Sequence, residues 1–283
     1  MIDYGDFMGY FEKILAVLST MAEPPPMYGW YHIMCWVLTF AFAVLFCFLY
    51  KKGIIKRVNA VVVSISVIVL VFEIYKMIVV GFYLGEGVEY VFPWRSFPWQ
   101  FCSMPMYIGL LVGVSRGKFQ NALYCFLATY AVFAGTAVMI YPGDVFTEMI
   151  GVNIQTMICH GSMLTIGIFL YYTGCVKAEL KTLFKAMPVF IGCVVSAIVL
   201  NDIVYIWDLS GENSFNMFYI SPYEEGYLPV YRVVQAEVQY PGCLLIYLIG
   251  FTVAAFIVLG VAMAVNGVAH AVKRAKEKRR ARA

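Results

Sequence analysis

Charged residues are what this sequence has least of. Only 13% of its 283 residues are Asp, Glu, Lys or Arg, whereas 62% are hydrophobic and the mean hydropathy is +0.80. Soluble domains carry about 25% charged residues, so the shortage excludes a water-soluble domain and marks an integral membrane protein. Histidine is scarcer still. His32, His160 and His270 all fall in or beside apolar segments, so no His-rich metal cluster is possible. The eight cysteines show no CxxC spacing and read as packing residues rather than a disulfide frame or a zinc site. Glycine-rich phosphate loops, HExxH and GxSxG are missing, which removes the commonest soluble chemistries. Internal repeats and low-complexity tracts are missing too.

What is there is a series of apolar runs. Seven of them, at 31–50, 58–81, 98–115, 119–141, 151–173, 183–206 and 240–265, are mostly long enough to cross a hydrocarbon core of ~30 Å. The charges between them alternate. Basic connections hold Lys51, Lys52, Lys56 and Arg57, then Arg116 and Lys118, then Lys177, Lys181 and Lys185; the tail from Lys273 to Arg282 is basic as well. Fifteen of the 17 acids sit on the other side, Glu179 and Glu277 being the exceptions. By the positive-inside rule the expected fold is an all-α polytopic membrane bundle of seven transmembrane helices, N-terminus outside and C-terminus cytosolic. Residues 1–26 read as an interfacial amphipathic segment, with Phe7, Phe11, Ile14, Leu15 and Leu18 at helical spacing before Pro24, Pro25 and Pro26. The transmembrane domain is expected over 27–270. The basic tail, 271–283, is either a stop signal or a site for anionic headgroups; it lacks the interleaved aromatics of a nucleic-acid binder. The external connection at 207–239 is rich in Tyr, Asn, Glu and Pro. Its length fits a lid or re-entrant piece as well as a plain surface loop.

The third run is short and proline-flanked. Pro98 suits the first turn of a helix, while Pro105 reads as an interior proline that leaves the Phe101 carbonyl without its helical partner. The backbone is thereby loosened beside Cys102. A nucleophilic thiol in a cavity and a small core cysteine beside a kink are both consistent with this. Ionisable groups inside spans are costly and by default suggest function. Glu73 and Lys76 lie one turn apart and pair on one face, as a structural ion pair or as part of a site. Asn201 and Asp202 stand near the outer end of the sixth span. His160 shares a helical face with Asn153, Thr156 and Gly167, a small and polar stripe facing protein. Depth then adds a constraint. The third and fifth runs both enter from the outside, placing Cys102 about one turn down and His160 about two and a half. A buried thiol needs a base within reach, and His160 is the one histidine at that depth, which leaves Cys102–His160 as the credible Cys–His pair.

Several points recur in order along the chain: Glu73; the Pro-x-x-x-Cys opening from Pro98 to Cys102; Tyr141-Pro142-Gly143-Asp144; His160-Gly161; Asn201; Asn216 and Pro222; and Tyr240-Pro241. This set resembles the YwaF-type family of multi-pass membrane proteins, to which the animal transmembrane protein 164 belongs. Gln100 stands where bacterial members often carry His. The animal member is described as a phospholipid acyltransferase that works through a Cys and a His. The resemblance implies Cys102 as nucleophile, His160 as base, phospholipid and lysophospholipid as substrates, no cofactor, and a bacterial plasma membrane as location. In that scheme Asn153, Gln155 or Ser103 supplies the oxyanion donor, and Asp144, Glu73 or Asp202 orients His160. Water reaching the thioester would make the same pair a lipid hydrolase. A different class stays open beside it: a seven-helix lipid or small-ligand binding or transport protein with Glu73, Lys76 and the acidic loop as contacts.

Overall fold

The computed structural model describes residues 4–280 apart from Val88, Glu212 and Tyr227; the last three residues of the basic tail and the side chain of His270 lie outside the described residues. Among the described residues there is no strand, and one isolated bridge joins Met21 to Met149. The helices are α1 (Tyr4–Leu18), α2 (Trp30–Lys51), α3 (Val58–Leu84), α4 (Met104–Val114), α5 (Gly117–Ala128), α6 (Tyr130–Ile140), α7 (Ile150–Tyr172), α8 (Leu180–Ile206), α9 (Pro229–Glu237) and α10 (Gly242–Arg280). Among the described residues six stretches are long and apolar enough to cross a membrane: α2, α3, α5 with α6, α7, α8 and the greater part of α10. The chain is a multi-pass integral membrane protein. The run expected at 98–115 is helical only over Phe101–Val114, about 21 Å of rise and short of a full crossing by itself.

Helix α7 organises the bundle. It packs against α2, α3, α5 and α6, and most of its side chains are buried. A helix buried nearly all round can carry polar groups only if they face protein, and this is where Asn153, Gln155, Thr156 and His160 sit. By contrast α2 and α10 present mostly exposed Val, Leu, Ile and Phe, as lipid-facing helices do.

One detail departs from the sequence-based expectation. The single helix expected over 119–141 is broken at Thr129, which has φ −124° and ψ −80°. Its hydroxyl donates to the Cys125 carbonyl at 2.7 Å, the i−4 back-bonding that bends helices. In the basic tail the Ala, Lys, Glu and Arg residues are good helix formers, and α10 continues through them to Arg280.

The basic connections gather at one end of the bundle. A methyl group on Gly113, near the end of α4, would lie 2.9 Å from Val63 near the start of α3, so Arg116 and Arg57 neighbour each other's helices. Tyr50 at the end of α2 packs edge-on to Phe169 at the end of α7, centroids 5.9 Å apart. At the opposite end Tyr75 Oη donates to the Leu18 carbonyl at 2.6 Å and Tyr28 Oη to that of Ile140 at 3.0 Å.

Candidate functional site

Cys102 sits in a single 3-10 turn, Phe101–Ser103, that leads into α4. The expected orphan carbonyl is not there. Pro105, not Pro98, occupies the first turn of the helix, and the Met104 N–H donates to the Phe101 carbonyl. The missing proline N–H falls among groups that lack an intrahelical partner anyway, so the backbone at Cys102 is held rather than loosened. The Cys159 thiol donates to the Cys102 carbonyl at 3.7 Å, which ties the turn to α7 one residue before His160. An aromatic cage fixes the same turn: the Phe101 ring lies 4.9 Å from Phe251, 5.5 Å from Phe218 and 5.7 Å from Phe190, each near edge-on.

Phe218 comes from the 207–239 connection, and it arrives there because that segment folds back into the bundle. Phe215, Asn216, Met217, Phe218, Ile220 and Ser221 are each at most 4% exposed. A buried loop must satisfy its own backbone, and three amides do this. Gln100 Nε2 donates to the Asn216 carbonyl and Gln100 Oε1 accepts from the Phe218 N–H, both at 2.9 Å. Asn201 accepts from the Met217 N–H at 2.8 Å and donates to the Met217 carbonyl at 3.1 Å. Asn216 accepts from the Ser221 N–H at 2.9 Å. Phe218 and Tyr219 have φ of 60° and 59°, a left-handed conformation that bulky residues adopt only when surroundings impose it. Gln100→Ala leaves the buried Phe218 N–H unpaired, which costs about 1–3 kcal/mol. Amide exchange across 214–221 should rise in that variant while α7 stays protected; unchanged exchange in the loop would show that Gln100 does not hold it.

His160 lies 5% exposed on α7. Its Nδ1 is 2.7 Å from the Thr156 carbonyl, an atom that only accepts, so Nδ1 carries the proton. In the neutral ring the lone pair is then on Nε2, and Nε2 is buried with no hydrogen-bond partner. His32 is the contrast. Its Nδ1 accepts from the Tyr28 N–H at 3.0 Å, and its Nε2 is 2.7 Å from the Met139 carbonyl. Close packing holds the His160 turn in place: a methyl group on Gly135 of α6 would lie 2.6 Å from the His160 carbonyl. No hydrogen bond joins Nε2 to the Cys102 thiol in this state.

Glu73 and Lys76 form the expected ion pair, and Glu73 Oε2 also accepts from Gln155 Nε2 at 2.7 Å. Lys76→Met would leave the buried Glu73 carboxylate without its counter-charge, with Gln155 as its remaining donor, and should destabilise the fold by about 3–5 kcal/mol. The Glu73→Gln/Lys76→Met double variant should recover most of that loss in a melt; equal losses would exclude the pair as the cause.

The remaining expected residues divide. Ser103 is buried in the Cys102 turn, and Thr156 serves His160 through its carbonyl. Asn153 is remote in role, with both amide atoms on Thr147 at 2.8 Å. Asp144 is exposed on its turn, and Asp202 accepts from Tyr223 Oη at 3.0 Å. The imidazole is oriented by the Thr156 carbonyl rather than by Asp144, Glu73 or Asp202, because a helical i−4 carbonyl is the acceptor nearest to Nδ1.

The TMEM164 family model matches residues 27–263, a stretch that takes in Glu73, Cys102, His160 and Asn216. The chain belongs to the TMEM164 family. No curated protein and no solved structure matches it.

Within this family member, the hydroxyls of Tyr31, Tyr171, Tyr231 and Tyr247 are also buried without a hydrogen-bond partner. A tyrosine in an apolar run has no sequence signal separating it from packing. Among the described residues no three His, Cys, Asp or Glu side chains gather closely enough to hold a metal ion.

Proposed function

We propose that this TMEM164 family member is a phospholipid acyltransferase that moves a fatty acyl group between (lyso)phospholipids through a thioester on Cys102. The observation that carries the reading is the His160 ring: one nitrogen is locked as a donor, and the other is an unspent, buried lone pair on the helix turn tied to the Cys102 carbonyl. Catalytic hydrogen bonds are often unmade before substrate binds, so closure of Nε2 on the thiol belongs to the substrate-bound state.

In the first half-reaction Nε2 takes the thiol proton, Sγ attacks the ester carbonyl, and the tetrahedral oxyanion collapses to the thioester. The departing lysophospholipid oxygen leaves with the proton from Nε2. In the second, Nε2 takes the proton of an acceptor hydroxyl, that oxygen attacks the thioester carbonyl, and Sγ leaves and is reprotonated. Splitting one transfer into two easier steps is the gain from the thiol. For the oxyanion, Asn153 is spent on Thr147 and Gln155 Nε2 on Glu73, which favours Ser103, buried in the same turn as Cys102, as donor. The scheme needs no cofactor. It places the N-terminus outside and the basic end in the cytosol, with the 98–115 run as one of seven crossings, in a bacterial plasma membrane.

A lipid or small-ligand binding protein is the competing reading, supported by the buried Glu73–Lys76 pair. Purified protein in nanodiscs, given a phospholipid with a clickable acyl chain and analysed by intact mass, separates the two. A hydroxylamine-labile adduct on Cys102 supports transfer, and its hydrolysis without acceptor would make the enzyme a hydrolase. Lipid binding without any adduct would select the binding protein.

A further inference from the structure

Helices α2 and α3 follow each other in sequence, yet α2 packs on α7 and α3 chiefly on α4 and α7. At the basic end they leave between them a groove of about 630 Å³, well within the range of small-molecule pockets. Its walls include Phe46, Leu49, Ile65 and Ile68, and its mouth carries Lys56 and Arg57. From Ala60 to Ile68 the groove follows about 12 Å of helix, running along α3 away from the basic loop. Ile54 at the rim is 67% exposed.

The charges at the mouth decide what fits. Among the described residues no carboxylate lies within ion-pair distance of Lys56 or Arg57. An apolar trough opening under two unpaired cations, at the level where the helices leave the membrane, is complementary to a chain of hydrocarbon carrying a negative head. With no carboxylate to receive an ammonium, it favours a net anionic headgroup over a zwitterionic one. We propose that this groove binds an anionic glycerophospholipid, one acyl chain between α2 and α3 and its phosphate on Lys56 and Arg57. The site is distinct from Cys102 and His160, neither of which lines it, and it does not depend on the acyltransferase reading.

Native mass spectrometry of the full chain, released from micelles with phosphatidylglycerol or phosphatidylcholine of identical chains, tests the headgroup. The wild-type protein should retain phosphatidylglycerol in preference. Lys56→Gln/Arg57→Gln should cut that retention about tenfold, with Lys51 and Lys52 still present to keep the topology. Ser64→Trp, which fills an exposed wall position, should lose the lipid while leaving the two cations in place. A phosphatidylglycerol bearing a diazirine on its acyl chain should label the 54–68 stretch. Equal retention of the two lipids, retention by the filled variant, labels spread evenly round the bundle, or crosslinks between two copies of the chain would each overturn the proposal. An unchanged melt in both variants makes loss of lipid attributable to the groove.

Discussion

Replacing Cys102 by serine should abolish the hydroxylamine-labile acyl adduct and lower acyl transfer by at least about a thousandfold, as removing a nucleophile from a unit of cooperating groups does. The change is nearly isosteric, and the features that hold the turn involve other atoms: the Phe101 ring in its cage, the Met104 N–H on the Phe101 carbonyl, and the Cys159 thiol on the Cys102 carbonyl. The melt should therefore stay close to wild type, and lipid should still bind. Chemistry separates the two side chains where packing does not, since a serine hydroxyl is far harder to deprotonate than a thiol and is a weaker nucleophile. Transfer within tenfold of wild type in this variant would end the thioester scheme.

How much of this was legible in the sequence differs from element to element, for physical reasons. Hydropathy and the alternation of Lys and Arg runs announce helices and their two ends, because burial in lipid acts on every residue of a span. The Glu73–Lys76 pair follows from helical spacing alone, and the ordered Cys102 and His160 positions point to the TMEM164 family. The Thr129 break was not legible, because a threonine in an apolar run is equally at home in a straight helix. Pro105 was misplaced as interior because α4 starts six residues past Pro98, and Ser103 at its N-cap makes no side-chain capping hydrogen bond. The burial of the Met217 segment depends on Gln100 and Asn201, which lie 116 and 16 residues from the carbonyls they serve. Long-range amide clamps leave no local pattern. The same holds for Gln155, whose tie to Glu73 removes it from the oxyanion candidates.

His160→Ala should lower transfer by about 10²–10⁴-fold, the range that a positioned acid–base group contributes, and the adduct on Cys102 should form slowly or not at all. Here the structural cost must be separated from the chemical one. Losing the ring removes the donor to the Thr156 carbonyl and opens a void on the buried face of α7, so some loss of stability, about 1–3 kcal/mol, accompanies the variant. Added imidazole supplies the discriminating arm. A free base diffusing into that void restores a lone pair without restoring the covalent ring, so it should raise transfer in His160→Ala and leave Cys102→Ser untouched. The double variant tests the unit itself. If His160 acts only by activating Cys102, its removal from a chain already lacking the thiol should cost little more, as catalytic groups that act together are strongly non-additive. Losses that multiply fully in the double variant, with no response to imidazole, would place His160 among the packing residues of α7 and leave Cys102 without its base.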